Sequence, residues 1–311
     1  MQIQWFPGHM NKTKHLIQEN LGKVDVIIEI LDSRVPVSSS NPMITELIGD
    51  KPRLVVLNKS DLSDPEVTTR WMEYYRGLDK TLPVQVSSKT FDNLDSISKT
   101  CRELCQDAKW IDRREVRGMV VGIPNVGKST IINALSGKKK AAVGNKPGLT
   151  RGLQRINITN SLQIYDTPGI LWPKFEDKTV GYNLAAVGSI KDTILDLVDI
   201  ARESLDYFIK RYPNRIKERY NIEGELSQDS YELLNLIGKK RGCLQAKGVI
   251  DLDRAVAFFL KDLRDGKLGL ISLEEPEDME ERLIAAAEAK AIRDEKLRLK
   301  ELRKSGKRKN R

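Results

Sequence analysis

Eight residues, Gly122-Ile-Pro-Asn-Val-Gly-Lys-Ser129, constrain this chain more than any other stretch of it. They match G-x-x-x-x-G-K-[ST], follow the apolar run Val116 to Val121, and precede a helical pattern that begins at Lys128. Such a segment needs a strand end, a tight loop and a helix N-terminus at one point, so it commits the chain to an α/β architecture. The glycines let backbone N–H groups close around phosphate oxygens. Lys128 can reach the β- and γ-phosphates, and the Ser129 hydroxyl can coordinate Mg²⁺. The segment is read as a nucleoside triphosphate site, with Asn125, Val126, Gly127, Lys128, Ser129 and Thr130 as its candidate contacts.

The flanking pattern agrees. Strand signals fall at Val24 to Leu31, Leu54 to Leu57, Val84 to Val86, Val116 to Val121, Gln154 to Ile158 and Leu162 to Tyr165, with helical segments at Pro42 to Ile48, Glu66 to Arg76, Asn93 to Ala108 and Lys128 to Leu135. That alternation predicts a mostly parallel sheet with helices on both faces. Beyond about residue 185 the strand signals stop, and residues 192–211, 228–241, 251–264 and 277–304 read as helices. The fold class is therefore α/β, a P-loop domain followed by an all-α C-terminal domain. The expected boundaries are a nucleotide-binding domain over 1–185, a helical domain over 186–295 and a basic tail over 296–311.

Three further segments sit where ligands bind in open α/β sheets, just past the ends of predicted strands. In Asn58-Lys-Ser-Asp61, Asp61 can accept from guanine N1–H and N2–H₂, Asn58 can donate to the acceptor edge, and the Lys59 stem can lie along the ring. Adenine lacks that donor pair, so a buried Asp61 would reject it. Ser60 belongs to the same turn, and Ser87-Ser88-Lys89 would add backbone N–H groups near the base oxygen. Asp166-Thr-Pro-Gly169 closes another strand. Asp166 can hold Mg²⁺ through water, and the Gly169 N–H can meet the γ-phosphate. Between it and the phosphate loop lies Gly144 to Thr150, where Thr150 could complete the metal shell and the loop could order on the γ-phosphate.

Taken together, the motifs resemble those of translation-factor-class GTPases in circularly permuted order, because Asn58 to Asp61 and Ser87 to Lys89 precede Gly122 to Ser129, Thr150 and Asp166 to Gly169. Trp5-Phe-Pro-Gly-His-Met10, Asp32-Ser-Arg-Val-Pro36, Asp166-Thr-Pro-Gly-Ile-Leu-Trp-Pro-Lys-Phe175 and Ile237-Gly-Lys-Lys-Arg-Gly-Cys243 are similar to segments of the ribosome biogenesis GTPase A family, also called RbgA or YlqF. The resemblance implies a circularly permuted P-loop GTPase domain and GTP hydrolysis with Mg²⁺. It also implies a role in late maturation of the large (50S) ribosomal subunit, with binding in the GTP state and release on hydrolysis. Its partners would be the large-subunit precursor, 23S rRNA and ribosomal proteins. The order has a mechanical corollary: the γ-phosphate sensor leads almost directly into the helical segment, so nucleotide state can bias how that segment is held.

Hydrolysis needs a water-orienting group, and the residue after Asp166-Thr-Pro-Gly169 is Ile170, not the glutamine of familiar small GTPases. The resemblance implies two substitutes: Asn125 as a K⁺ ligand in a potassium-stimulated reaction, and His9 of the opening motif in catalysis beside Lys128 and Thr150. Read from its neighbours alone, His9 sits in a glycine-containing turn ahead of a helix, which equally suits a surface or capping residue. A low basal rate that rises on the ribosome is expected.

Charge bears on the partners. The formal net charge of +9 is uneven: residues 296–311 hold nine basic residues and one acid, whereas residues 186–295 hold 18 basic and 23 acidic residues. Lys138-Lys-Lys140, Lys146, Arg151, Arg155 and Lys239-Lys-Arg241 offer phosphate contacts as patches, and the tail as an anchor that orders on RNA. No apolar run approaches a membrane-spanning length and no leader pattern opens the chain, so a cytoplasmic protein, monomeric off the ribosome and without membrane contact, is expected. Cys101, Cys105 and Cys243 lack zinc-ligand spacing; the first two read as small buried hydrophobes in a reducing compartment. Two competing readings are a signalling or transport GTPase, which no lipidation motif supports, and an RNA-binding protein using GTP only as a structural ligand, which Ile170 leaves open.

Overall fold

In a computed structural model, the residues described are 7–137, 153–172, 175, 177–190 and 196–279, with the backbone alone for 7–10. Residues up to Leu273 form one compact unit. Its six strands are β1 (Val26–Asp32), β2 (Arg53–Asn58), β3 (Thr81–Gln85), β4 (Val116–Val121), β5 (Gln154–Thr159) and β6 (Leu162–Asp166), in the order β3-β2-β1-β4-β6-β5. All neighbours are parallel except β5 against β6, which are antiparallel. The expected mostly parallel sheet is thus present, with its one antiparallel strand at an edge.

Every residue of β1, Val-Ile-Ile-Glu-Ile-Leu-Asp, is buried, as a central parallel strand covered on both faces must be. Its side chains alternate between two cores. Ile27 packs with Met119, Val121 and Tyr165 beneath α1 (Pro7–Asn20), through Ile17, and α3 (Pro42–Ile48), through Ile44 and Ile48. Ile28 and Ile30 face the other side, with Ile97 and Cys101 of α5 (Asp95–Glu103) and Ile131 and Ile132 of α6 (Lys128–Ser136). Cys101 and Cys105 are buried there as predicted, and burial drives the Cys105 thiol up to about 11, so it stays an apolar thiol. Two other elements edge this half, the short α2 (Pro36–Ser39) and α4 (Pro65–Arg76).

After β6 come α7 (Lys178–Ala186), α8 (Leu197–Arg211), α9 (Pro213–Tyr220), α10 (Ser230–Lys240) and α11 (Leu252–Arg264). The apolar core continues without interruption from the sheet through Leu184 and Ala185 into Leu205, Phe208, Leu234 and Phe259. Aspartates start most of these helices: Asp177, Asp196, Asp229 and Asp251 each accept from backbone N–H groups of the following turn. Asp262 on α11 collects Arg219 through two hydrogen bonds of 2.9 Å, and Arg241 through one of 2.7 Å. This gives Arg241 of the Ile237 to Cys243 motif a structural partner. Beyond Leu273, the described residues of the second unit form a turn closed by Asp278 N–H to Glu275 O at 3.2 Å.

Candidate functional site

The sheet order reverses between β1 and β4: β2 and β3 lie to one side of β1, β4 and β6 to the other. A crevice opens at the carboxyl edge of such a switch point, and the predicted motifs leave the sheet there. The β4 to α6 loop makes its turn with Gly122 at φ +148° and Gly127 at φ +101°, where a side chain would be strained. Space forbids one as well. A Cβ on Gly127 would come within 2.2 Å of Asn58 Nδ2, and one on Gly169 would lie 2.9 Å from Lys128 Nζ and 3.0 Å from Pro124 N. Glycine at these positions lets three loops that are far apart in sequence meet.

Lys128 is buried and donates to Gly122 O at 3.0 Å and Ile123 O at 2.7 Å. Burial lowers its pKa to about 8, against the opposing pull of the Asp166 carboxylate. A phosphate arriving at the α6 N-terminus would meet this ammonium within the loop and the helix N–H groups beside it. Ser129 and Thr130 follow in the first helical turn and are half-buried.

The Asn58 to Asp61 turn, predicted to recognise the base, is joined to this loop directly. Asn58, fully buried, donates through Nδ2 to Val126 O at 2.7 Å and accepts at Oδ1 from the Ser88 N–H at 3.0 Å. Its carboxamide therefore bridges the phosphate loop and the Ser87 to Lys89 loop, and only its second amide hydrogen remains for a base, which narrows the role predicted for it. Asp61 Oδ1 accepts from Ser87 Oγ at 2.6 Å, an orientation that leaves Oδ2 for the paired N–H donors of a guanine edge. Ser60 N–H closes the turn onto Val86 O at 3.1 Å. Lys59 has a left-handed backbone, φ +64°, and its ammonium bonds Asp32 Oδ2 at 2.8 Å, while Lys89 is exposed.

At the end of β6, Asp166 and Thr167 are buried, and Thr167 Oγ1 donates to Val120 O at 2.7 Å. Ile170 is 3% exposed; its side chain packs into the core under α1 and α3, and its carbonyl accepts from Asn41 Nδ2 at 3.1 Å. That side chain is withdrawn from the crevice as well as being apolar. Asn125, at φ +62°, donates to Ser189 O at 3.2 Å in the turn after α7. The donor set suits Mg²⁺ bound to a nucleotide: a hard cation takes oxygen ligands, the Ser129 hydroxyl and Asp166 carboxylate would supply them, and the Asp166 charge is felt at the Lys128 ammonium. Among the described residues no cluster of three His, Cys, Asp or Glu side chains could hold a metal without such a ligand.

One prediction is corrected. His9 lies in the first turns of α1, whose helix starts at Pro7, not in a turn ahead of a helix; proline's fixed φ suits a first helical position, so Pro7-Gly8 opens the helix instead of delaying it. The His9 side chain, Thr150, Lys138 to Lys140, Lys146, Arg151 and the tail lie outside the described residues. Sequence reasoning gave no role in the site to Asp32, Arg34, Asn41 or Ser189. For Asp32 a signal was available, because it directly follows the predicted strand Val24 to Leu31, at the carboxyl edge.

Comparison with known proteins adds a lineage to this geometry. Residues 117–227 match the family described as 50S ribosome-binding GTPase. The chain is 45% identical to the ribosome biogenesis GTPase A of Bacillus cereus over 289 residues, covering 91% of this chain and 97% of that one. It is 34% identical to the mitochondrial ribosome-associated GTPase 1 of Mus musculus, over 87% and 90% of the two chains. A GDP-bound YlqF structure superposes with a TM-score of 0.61 at 27% identity, spanning 84% of this chain and 99% of that one. A GNP-bound YlqF from Thermotoga maritima gives 0.59 at 27% identity, over 86% and 99%.

Proposed function

The chain belongs to the ribosome biogenesis GTPase A family, and on that premise we propose that it is a GTP-hydrolysing factor of late large-subunit assembly, bound to the 50S precursor with GTP and released by hydrolysis. It is a GTPase. The observation that carries the reading is the bridge made by Asn58, which sets a guanine-selective turn against a phosphate loop so that one nucleotide spans both. In this reading Asn58, Lys59, Ser60 and Asp61, with Ser87, Ser88 and Lys89, surround the base. Asn125 to Thr130 and Gly169 surround the phosphates, and Ser129, Thr150 and Asp166 hold Mg²⁺, which supplies neutralisation of the triphosphate charge.

Because Ile170 is packed into the core, water must be oriented by other groups. We assign that task to His9 and to a potassium ion held by Asn125, whose carboxamide already lies at the crevice with its nitrogen on Ser189 O. A site without its own water-orienting side chain turns over slowly until a partner completes it. The partner is the large-subunit precursor, contacted at 23S rRNA and ribosomal proteins by basic patches of the helical segment, residues 186–295, and by the tail over 296–311. Such a factor works in the cytoplasm; no helix among the described residues is long and apolar enough to cross a membrane.

Sedimentation through a gradient with a non-hydrolysable GTP analogue, with GDP and with ATP tests the reading. Co-migration with large-subunit particles only in the first condition is the expected result. Equal co-migration in all three, or migration with the small subunit, would overturn it.

A further inference from the structure

The carboxyl end of β1 holds a charge that the GTPase reading does not use. Asp32 is 0% exposed and lies across the β1–β2 ladder from Asn58. Its Oδ1 accepts from the Arg34 backbone N–H at 3.1 Å and from Arg34 Nε at 3.0 Å; its Oδ2 accepts from Arg34 Nη2 and from Lys59 Nζ, each at 2.8 Å. All four lone-pair positions are filled. Burial alone would raise the Asp32 pKa, but the two cations outweigh it and keep the carboxyl well below the usual range, so the anion persists.

One arginine, meeting the carboxylate through both oxygens, already balances that charge. The second cation calls for an explanation, and the backbone of Lys59 supplies it. Its φ of +64° is a left-handed conformation that a non-glycine residue rarely adopts and that persists where the surroundings over-determine it. Here the Ser60 N–H is fixed on Val86 O, and the far end of the lysine is fixed on Asp32. A lysine held at both ends has its four-carbon stem stretched between β2 and β1, along the edge where Asn58 and Asp61 stand. Arg34 extends the chain of contacts: Nη2 also reaches Val187 O at 3.3 Å in the turn after α7, and its carbonyl accepts from Leu273 N–H at 2.8 Å.

We propose that Asp32 is a positioning residue of the guanine pocket: by pinning the Lys59 ammonium it presets the lysine stem as a wall for the base, with Arg34 fixing Asp32 against the turn that follows α7. This rests on the reading of Asn58 to Asp61 as the base site, so the first measurement is on the unaltered chain, whose preference for GTP over ATP must be present; its absence would sink that reading, not the role of Asp32. Given that preference, Asp32→Asn is expected to raise the dissociation constants of GTP and GDP alike, by about tenfold or more, because the base is common to both. In a Lys59→Met background the same substitution should add less than twofold, since the two residues then act on one path.

A merely structural Asp32 predicts otherwise: GTP affinity within twofold of the unaltered chain in Asp32→Asn, or factors that multiply in the double variant. Either result overturns the proposal. Should Asp32→Asn fail to fold, the unaltered chain still decides. In nucleotide-free protein with ¹⁵N-labelled lysine, a pinned Lys59 ammonium gives a slowly exchanging resonance that Lys59→Met removes. No such resonance would mean that the lysine is not held.

Discussion

The side-chain amide of Asn58 donates to the carbonyl of Val126 at 2.7 Å, across 68 residues of sequence. Its oxygen takes the N–H of Ser88, so one carboxamide fixes three loops of the site. In Asn58→Ala both backbone groups lose their partner inside the protein. Each such loss costs about 1–3 kcal/mol. The expected outcome is a destabilisation of roughly that size per group in denaturant unfolding, together with a GTP affinity reduced by more than tenfold in a fluorescence titration.

Gly127 fails differently. A Cβ there meets Asn58 Nδ2 at 2.2 Å and the backbone is left-handed, so Gly127→Ala both strains the loop and pushes the base turn away. Calorimetric titration should find GTP and GDP affinity lost together. Retention of GDP binding alone would mean that the loop can open without disturbing the base turn.

Lys128 makes stability depend on pH in the nucleotide-free chain. Its pKa is about 8 when folded and 10.5 otherwise. Between these values the unfolded chain binds more protons, so the lysine's contribution to stability rises with pH through that window. Below about pH 8 both states carry the proton and the full cost of burying it is present. Lys128→Met should flatten this part of the unfolding profile. It should also weaken GTP binding by roughly 100-fold, close to 3 kcal/mol.

The roles proposed for His9 and Asn125 would separate hydrolysis from binding. His9→Ala is expected to lower ribosome-stimulated turnover by at least tenfold while GTP affinity stays within about twofold. Replacing K⁺ by Na⁺ should slow the unaltered chain and leave Asn125→Ala indifferent. Equal rates in the two salts for the unaltered chain would remove the potassium role.

Deletion of residues 296–311, with nine basic residues and one acid, should weaken ribosome binding most at low salt and reduce the slope of log affinity against log salt. Guanine affinity should be unchanged, since the base and phosphate motifs all lie before residue 170.

Much of this site was legible in the sequence because its parts are local. A glycine spacing, a polar turn after an apolar run and a Thr-Pro-Gly stop each specify backbone geometry over a few residues, and the strands they follow were read within a few residues of their ends. The helices missed among the described residues were α2, α7 and α9, and the start of α1 was misread. α1, α2 and α9 each open on a proline, Pro7, Pro36 and Pro213, and proline without an N–H suits the first helical turn. The sequence by itself determined the family and its motifs, the Asn58 to Asp61 turn, the phosphate loop and the Asp166 to Gly169 stop, in permuted order. Only the tertiary structure decided which of these touch, because contact follows from sheet order. With β2 and β4 on either side of β1, Asn58 reaches Val126 and Asp32 reaches Lys59, while Ile170 turns into the core. No local pattern encodes these distances; they exist once the hydrophobic faces of β1 are covered on both sides and its carboxyl end becomes the place where the loops converge.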